Sequence, residues 1–277
     1  MTQKSLGLKI DANNLGLLKD RLTQEAGERE IAHLGSLGLP YAGAWLNAPP
    51  IPALGLHLRS NEFILAVKYR LGCYVYDREG PCPACLRPSD RFGDHSMCCG
   101  SQGERISRHN HLRDALFSTA AAAALSPVKE SRFLLPGADR RPADVLIPNW
   151  SRGRDMALDV TVVNPLQAAT LTGAATNPGH ALSYAYDRKM RGAAEDCRQQ
   201  GIAFLPLVVE SLGGWHGEAV GEIKKLASAL SRHVGQDEEE AGAHLFTRLS
   251  ILLQKGNAAI LANRVPSFPE PTINGIE

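Results

Sequence analysis

Four of the six cysteines of this chain lie within eighteen residues, and their spacing limits how the segment around them can fold. The segment starts with Cys82-x-x-Cys85, reaches His95 after nine intervening residues, and ends with Cys98 and Cys99. A CxxC pair followed closely by His and Cys is typical of a tetrahedral Cys₃His zinc site. By spacing alone either Cys98 or Cys99 can be the fourth ligand. The alternative to a metal site is a group of reduced core cysteines.

Composition and charge place the chain among ordinary globular proteins, with a net charge of +1 over 277 residues. The first residues lack the continuous apolar stretch of a signal peptide, and no segment is apolar enough to predict a membrane span. Basic residues outnumber acidic ones between positions 129 and 154, whereas residues 237–240 form an acidic run. A polyanionic partner is therefore expected to contact the middle of the chain.

Hydrophobic periodicity changes along the chain and predicts an α/β fold. The N-terminal region reads as helical, and from Ser107 the order is helix, three strands, helix and strand. Two further helices are expected near the C-terminus. This order indicates a mixed sheet with helices packed against it.

Two aspartates stand in the predicted hairpin of residues 141–163, which is otherwise largely apolar. In its second strand Leu158, Val160 and Val162 share one face, and Asp159 lies on the other. If Asp144 and Asp159 converge, they would hold Mg²⁺ (or Mn²⁺), which favours hard oxygen ligands and a phosphate oxygen. Such a metal polarises a phosphodiester and activates water.

Ion pairing is the alternative explanation of these carboxylates. Asp144 could pair with Arg140 or Arg141, and Asp159 could cap a turn or pair with Arg154.

Three further residues extend the candidate site. Glu130 ends the short strand before the hairpin and could add a third carboxylate. Lys189 lies on the helix face expected to pack on the sheet, where it could stabilise charge on a phosphate; the alternative is a lysine reaching solvent from the helix edge. His109 is either a helix-start histidine with local partners or a supporting residue of the site.

Together these residues resemble the C-terminal part of site-specific non-LTR retrotransposon proteins. In those proteins a CCHC zinc knuckle precedes a restriction-like endonuclease of the PD-(D/E)-x-K superfamily. The resemblance covers residues 41–264 and is closest over residues 82–214. The matching positions are Cys82, Cys85, His95 and, by the family's His-to-Cys spacing, Cys99; Arg108-His109-Asn110, like the family's R-H-N/D motif; Arg141-Pro142-Ala143-Asp144, for the P-D element; Asp159; and Lys189, for a lysine on the following helix.

The chain departs from the family pattern at two positions. Ala143 separates the proline of the P-D element from Asp144, and Thr161 stands where the wider superfamily has its lysine. Lys189 would supply the displaced lysine. No Tyr-x-Asp-Asp motif of a reverse transcriptase palm occurs in the sequence, so the chain is expected to be the endonuclease end of a larger element protein or a stand-alone descendant.

The resemblance implies a restriction-endonuclease-like core and four regions. These are a helical N-terminal or linker region (1–72), the CCHC knuckle (73–106), the endonuclease core (107–214), and C-terminal helices with a tail (215–277). It also implies nicking of chromosomal DNA in the nucleus to prime reverse transcription, with catalytic Mg²⁺ or Mn²⁺ and structural Zn²⁺. Element RNA is a further expected partner, whereas a membrane or a small-molecule cofactor is not.

The resemblance also assigns roles to individual residues. Asp144 and Asp159 would bind the catalytic metal, Glu130 would assist, and Lys189 would stabilise the attacked phosphate. His109 and Asn110 would support the site. Two alternatives remain: a nucleic-acid-binding module that has lost catalysis, and a zinc-stabilised interaction protein without a nucleic-acid role.

Overall fold

The computed structural model describes residues 3–25, 27–101, 103–130, 143–151 and 153–266. Arg140, Arg141 and Pro142, which include the start of the predicted P-D element, lie outside the described residues. No helix within these ranges is long and apolar enough to cross a membrane.

Helices account for most of the described chain. They are α1 (Gln3–Glu25), α2 (Glu28–Leu37), α3 (Ser60–Arg70), α4 (Asp94–Cys98), α5 (Glu104–Ala122), α6 (Leu171–Thr176), α7 (His180–Lys189), α8 (Glu195–Gln199), α9 (Gly217–Val234) and α10 (Glu238–Ala262). A π-helical segment, Met190–Ala194, joins α7 directly to α8. Short 3₁₀ turns at Ala44–Asn47 and Pro52–Leu54 precede α3.

The strands form two sheets of different size. The small hairpin of β1 (Gly80–Pro81) and β2 (Pro88–Ser89) lies in the cysteine-rich segment. The main sheet has the order β3-β4-β5-β6, built from β3 (Val128–Lys129), β4 (Val145–Ser151), β5 (Arg154–Val163) and β6 (Ala203–Glu210). Strands β3, β4 and β5 are antiparallel neighbours, whereas β6 runs parallel to β5.

Helices cover both faces of the main sheet, as the strand patterns require. On one face Leu158 and Val160 of β5 pack with α5, α9 and α10 in the largest core cluster. On the other face Ala157 and Phe204 pack against α8 and the π-helical segment, and Val208 packs against α7. The outcome is a sheet between two helical layers.

The N-terminal region packs onto the C-terminal helix. Tyr41 stacks on Phe246 of α10, with ring centroids 3.6 Å apart, and the Trp45 amide donates to Ser250 Oγ. Tyr69 of α3 is buried with Ile260 and Leu261. The predicted region 1–72 therefore shares core packing with α10.

The sequence-based prediction of a mixed α/β fold is confirmed. From residue 104 the chain forms a helix, three strands, a helical crossover and a parallel strand, followed by two long helices. The helix expected after the hairpin is widened at Met190–Ala194, a segment that contains Gly192, a residue of low helix preference. A restriction-endonuclease-like core remains a prediction.

Candidate metal centre and active-site cleft

Three cysteines and one histidine converge in the segment between α3 and α5. One ligand atom from each of Cys82, Cys85, His95 and Cys99 lies within 4.8 Å of all the others. The Sγ atoms of Cys82 and Cys99 are 4.0 Å apart, and Cys85 Sγ lies 3.2 Å from His95 Nε2. Zn–S bonds of about 2.3 Å imply ligand separations of about 3.7 Å in a tetrahedron. The group could therefore hold a metal such as zinc.

Local backbone structure positions these four ligands. The turn after the CxxC pair closes through hydrogen bonds from the Leu86 amide to Cys82 O and from the Cys82 amide to Arg87 O. The Asp90 carboxylate accepts hydrogen bonds from the amides of Asp94 and His95 at the start of α4. The Asp90 carboxylate thus holds the backbone that carries His95.

The structure separates the two candidates for the fourth ligand. Cys99 belongs to the ligand group, whereas the sulfur of Cys98 lies 3.3 Å from Asn164 Nδ2. Burial raises the pKa of Cys99, but hydrogen bonds from Ser101 and Cys85 outweigh it, and the net pKa is lowered. A lowered pKa favours the thiolate that metal binding requires. The family spacing, which indicates Cys99, therefore agrees with the geometry.

The two aspartates predicted to converge lie at the same end of the hairpin. The register pairs Val145 with Leu158, which brings Asp144 and Asp159 together on adjacent strands. The main chain continues the pairing, because the Asp144 amide donates to Leu158 O. The nearby Asp144 charge contributes to a raised pKa of Asp159.

Both oxygens of Asp144 accept hydrogen bonds from the protein. Oδ2 accepts the Val160 amide at 2.6 Å, and Oδ1 lies 3.0 Å from His109 Nε2. The hydrogen bond to Asp144 raises the pKa of His109, and burial only partly opposes it. His109 therefore contacts the carboxylate of Asp144 directly, and its role in supporting a site stays a prediction.

Asp159 pairs with Lys189. The ammonium nitrogen lies 2.9 Å from Oδ2, and Thr161 Oγ1 donates to the same oxygen at 3.1 Å. Burial raises the pKa of Asp159, and Lys189 lowers it in part. Lys189 is 35% exposed and contacts Asp159, which is not the solvent-extended position of the alternative.

The remaining residues predicted for the site, and the arginines predicted as alternative partners of the aspartates, form no hydrogen bond or ion pair with Asp144 or Asp159 through their described side chains. Glu130 lies one residue beyond β3, and its carboxylate pairs with Arg113. Asn110 makes no side-chain hydrogen bond within the described ranges. Arg154, the alternative partner of Asp159, forms no ion pair with it among the residues that the structure describes. The alternative partners of Asp144, Arg140 and Arg141, lie outside those residues.

An open cleft of about 550 Å³ joins the aspartate end of the sheet to the cysteine-rich segment. Four parts of the chain line it: the end of α4, the start of α5, the end of β5 and the end of α7. Lys189, which lines the cleft, is the last residue of α7 and directly precedes the π-helical segment. Such widened turns occur frequently at functional sites.

Asn164 was missed in the sequence, and Thr161, noted only as standing where the wider superfamily has its lysine, was not assigned to the site. The position of Thr161 was a signal, because a residue two after Asp159 in a strand shares its face. Asn164 follows β5 and offers no such signal, since its partners lie far away in sequence.

Comparison of the chain with protein-family models and with curated proteins found no match.

Proposed function

We propose that the protein is a metal-dependent DNA endonuclease that hydrolyses one strand of its target. The observation that carries the proposal is the pair of Asp159 and Lys189 at the wall of an open cleft, with Asp144 beside Asp159 on the adjacent strand. Two carboxylates can hold a metal ion that polarises a phosphodiester, and a lysine beside them can stabilise charge on the phosphate.

The carboxylates fit a hard divalent cation by chemistry. Asp144 and Asp159 would hold Mg²⁺ or Mn²⁺, and the metal would polarise a phosphate and activate water. Within the described residues they do not form a three-ligand group with Glu130, whose charge is met by Arg113. We therefore assign Glu130 to holding β3 beside β4, where its amide donates to Asp144 O.

The protein's own residues orient the site. The Val160 amide and His109 hold the Asp144 carboxylate in place, and Thr161 holds that of Asp159. The Lys189 ammonium, beside Asp159 in the cleft, would stabilise charge that develops on the attacked phosphate. The zinc centre would act as a structural clip beside the cleft. Nicking of chromosomal DNA in the nucleus, to prime reverse transcription, follows from the resemblance.

A supercoiled-plasmid assay with Mg²⁺ or Mn²⁺ tests the proposal. Wild-type protein should convert supercoiled to nicked plasmid, and Asp159→Asn should abolish conversion. Asp187→Asn, which neutralises an exposed acid on α7, should nick normally. Because a plasmid can lack the cognate sequence, a library of random target sites is assayed in parallel. Failure of folded, zinc-loaded protein on both substrates would contradict the proposal.

One observation favours a second candidate, a nucleic-acid-binding module without catalysis. Both Asp144 oxygens are already engaged by donors, and Asp159 is already paired with Lys189. Carboxylate oxygens that already accept protein donors have fewer lone pairs free for a metal. Salt-dependent DNA binding without cleavage in any divalent metal would establish this alternative.

A further inference from the structure

The cleft carries more positive charge than the aspartate site uses. Its lining includes four lysine or arginine side chains, the His109 imidazole and one carboxylate; the five charged residues are Arg105, Arg108, Arg188, Lys189 and Asp159. Lys189 pairs with Asp159. The arginines are therefore left to attract an anion, and they come from two separate helices.

Arg108 is a buried cation without a carboxylate partner among the described residues. Its residue is 2% exposed. Nη1 donates to Asn257 Oδ1 at 2.7 Å and lies 3.6 Å from Met97 Sδ, while Nε has no hydrogen-bond partner in the part of the chain that the structure describes. A buried charge is costly unless an opposite charge accompanies it. The geometry thus calls for an anion beside Arg108.

Arg105 adds an accessible guanidinium one turn earlier on α5. It is half-buried, and its Nη1 donates to Cys98 O at 3.0 Å, which holds the group at the zinc-ligand side of the cleft. It forms no ion pair within the described ranges. Because Arg105 and Arg108 are three residues apart, they share one side of the helix.

We propose that Arg105 and Arg108 form a phosphate subsite for a DNA strand that crosses the cleft between the zinc-ligand segment and Lys189. This proposal rests on the endonuclease function above and identifies where the substrate backbone binds. Guanidinium groups suit phosphate because they present paired donors. A nucleic acid fits better than a small phosphate ester, since Arg188 continues the positive charge along the same cleft.

The test is DNA binding without divalent cation, so that no cleavage occurs. Fluorescence anisotropy follows a short labelled DNA duplex over a series of KCl concentrations. Arg105→Gln should weaken binding and reduce the slope of log K against log[salt] by about 0.9, the value for one lost phosphate contact. Arg87→Gln should leave the slope unchanged, because it removes an exposed arginine of the cysteine-rich segment that does not line the cleft.

A second pair of variants repeats the comparison on α7. Arg188→Gln should weaken binding, whereas Arg191→Gln, which removes an exposed arginine one turn later and outside the cleft lining, should not.

Arg108→Gln is interpreted only if its zinc content and thermal unfolding match the wild type. Arg105→Gln keeps the test decisive if Arg108→Gln fails to fold.

Each outcome has a definite meaning. Equal slopes for Arg105→Gln and Arg87→Gln, or no salt-dependent binding by wild type, would overturn the subsite. Displacement of the duplex by RNA of the same sequence at lower concentration than by DNA would overturn DNA as its occupant. DNA binding that depends on Arg105, by a protein that never cleaves DNA, would support the phosphate subsite and refute the endonuclease function. DNA cleavage by a protein whose DNA binding does not depend on Arg105 would support the endonuclease function and refute the phosphate subsite.

Discussion

Asn164 donates a hydrogen bond through Nδ2 to Cys98 Sγ at 3.3 Å, and the same nitrogen reaches Asp94 O at 3.2 Å. Asn164 directly follows β5, the strand that carries Asp159. Its Oδ1 accepts a hydrogen bond from Ser211 Oγ beyond β6. This buried amide therefore ties the segment with the Cys₃His group to the end of the sheet.

The first prediction separates the two adjacent cysteines. Cys98→Ser should retain zinc, because Cys98 contacts Asn164 rather than the ligand group. Cys99→Ser should lose zinc affinity by more than about 100-fold, since even outer partners of a metal site contribute 10–100-fold. Zinc content by atomic emission after dialysis against a weak chelator measures the difference.

Thermal unfolding provides the control for this pair. Cys99→Ser should unfold at a lower temperature than Cys98→Ser, because metal binding contributes directly to folding free energy. Equal zinc content in the two variants would contradict the assignment of Cys99 as fourth ligand.

The second prediction concerns the ion pair of Lys189 and Asp159. Lys189→Met should lower the cleavage rate by about 100-fold or more, the typical effect of removing one group that stabilises transition-state charge. The substitution should also raise the pKa of Asp159 further. Burial raises this pKa in the wild type, and the Lys189 ammonium, which the variant lacks, partly opposes that rise. The acidic limb of the rate–pH profile should move to higher pH.

Lys189→Arg and Arg191→Met complete the design. The arginine variant keeps the charge and should preserve the position of the acidic limb, whereas Arg191→Met should change neither rate nor profile. A Lys189→Met variant with the wild-type rate and pH profile would contradict the assignment of Lys189 to the candidate site.

Local patterns in the sequence predicted the helices, the strands and the convergence of the two aspartates. Strand periodicity places Leu158 and Val160 on one face and Asp159 on the other, and the hairpin needs only a short turn. Ligand spacing likewise predicted the Cys₃His group, because the metal limits which residues can meet.

Contacts between distant residues could not be predicted in the same way. His109 meets Asp144 across 35 positions, and Asn164 meets Cys98 across 66. Such contacts depend on how α5 and the cysteine-rich segment pack on the sheet, which no local period encodes. Cys98 and Cys99 were indistinguishable by spacing alone, since adjacent residues reach the same site equally well.

The third prediction follows from the raised pKa of His109, whose ordinary value is 6.5. The pKa of His109 is higher in the folded state than in the unfolded state. The pair of His109 and Asp144 therefore makes its full contribution to stability below pH 6.5, the pKa of the unfolded state. This contribution disappears as the pH rises through the folded pKa. The groups that face the imidazole are Asp144, Asp159 and Arg113.

Urea unfolding at pH 6 and pH 8.5 measures this effect. His109→Gln should lower the free energy of unfolding relative to wild type at pH 6, and by less at pH 8.5. His111→Gln, at an exposed position on the same helix, should cause no such pH-dependent difference. A loss in His109→Gln that is equal at both pH values would show that the charge of His109 is unimportant.

The last prediction concerns Glu210, the final residue of β6, which is 0% exposed. Neither carboxylate oxygen has a hydrogen-bond partner of normal geometry among the described residues, although Ser36 lies near enough to lower the pKa slightly. Burial dominates and raises the pKa from 4.5 to about 7. The folded state therefore holds this proton at a pH where the unfolded state has lost it.

Stability should consequently fall as the pH rises from 4.5 through 7, because the folded protein must either retain the proton or bury a charge. Glu210→Gln removes this dependence, so the variant should gain about 2–3 kcal/mol over wild type between pH 5 and pH 8.5. Glu79→Gln, at an exposed acid, should show no gain. Urea unfolding of the three proteins at both pH values measures the difference. Parallel pH dependence of wild type and Glu210→Gln would mean that this buried carboxylate is charged throughout and has a compensating partner.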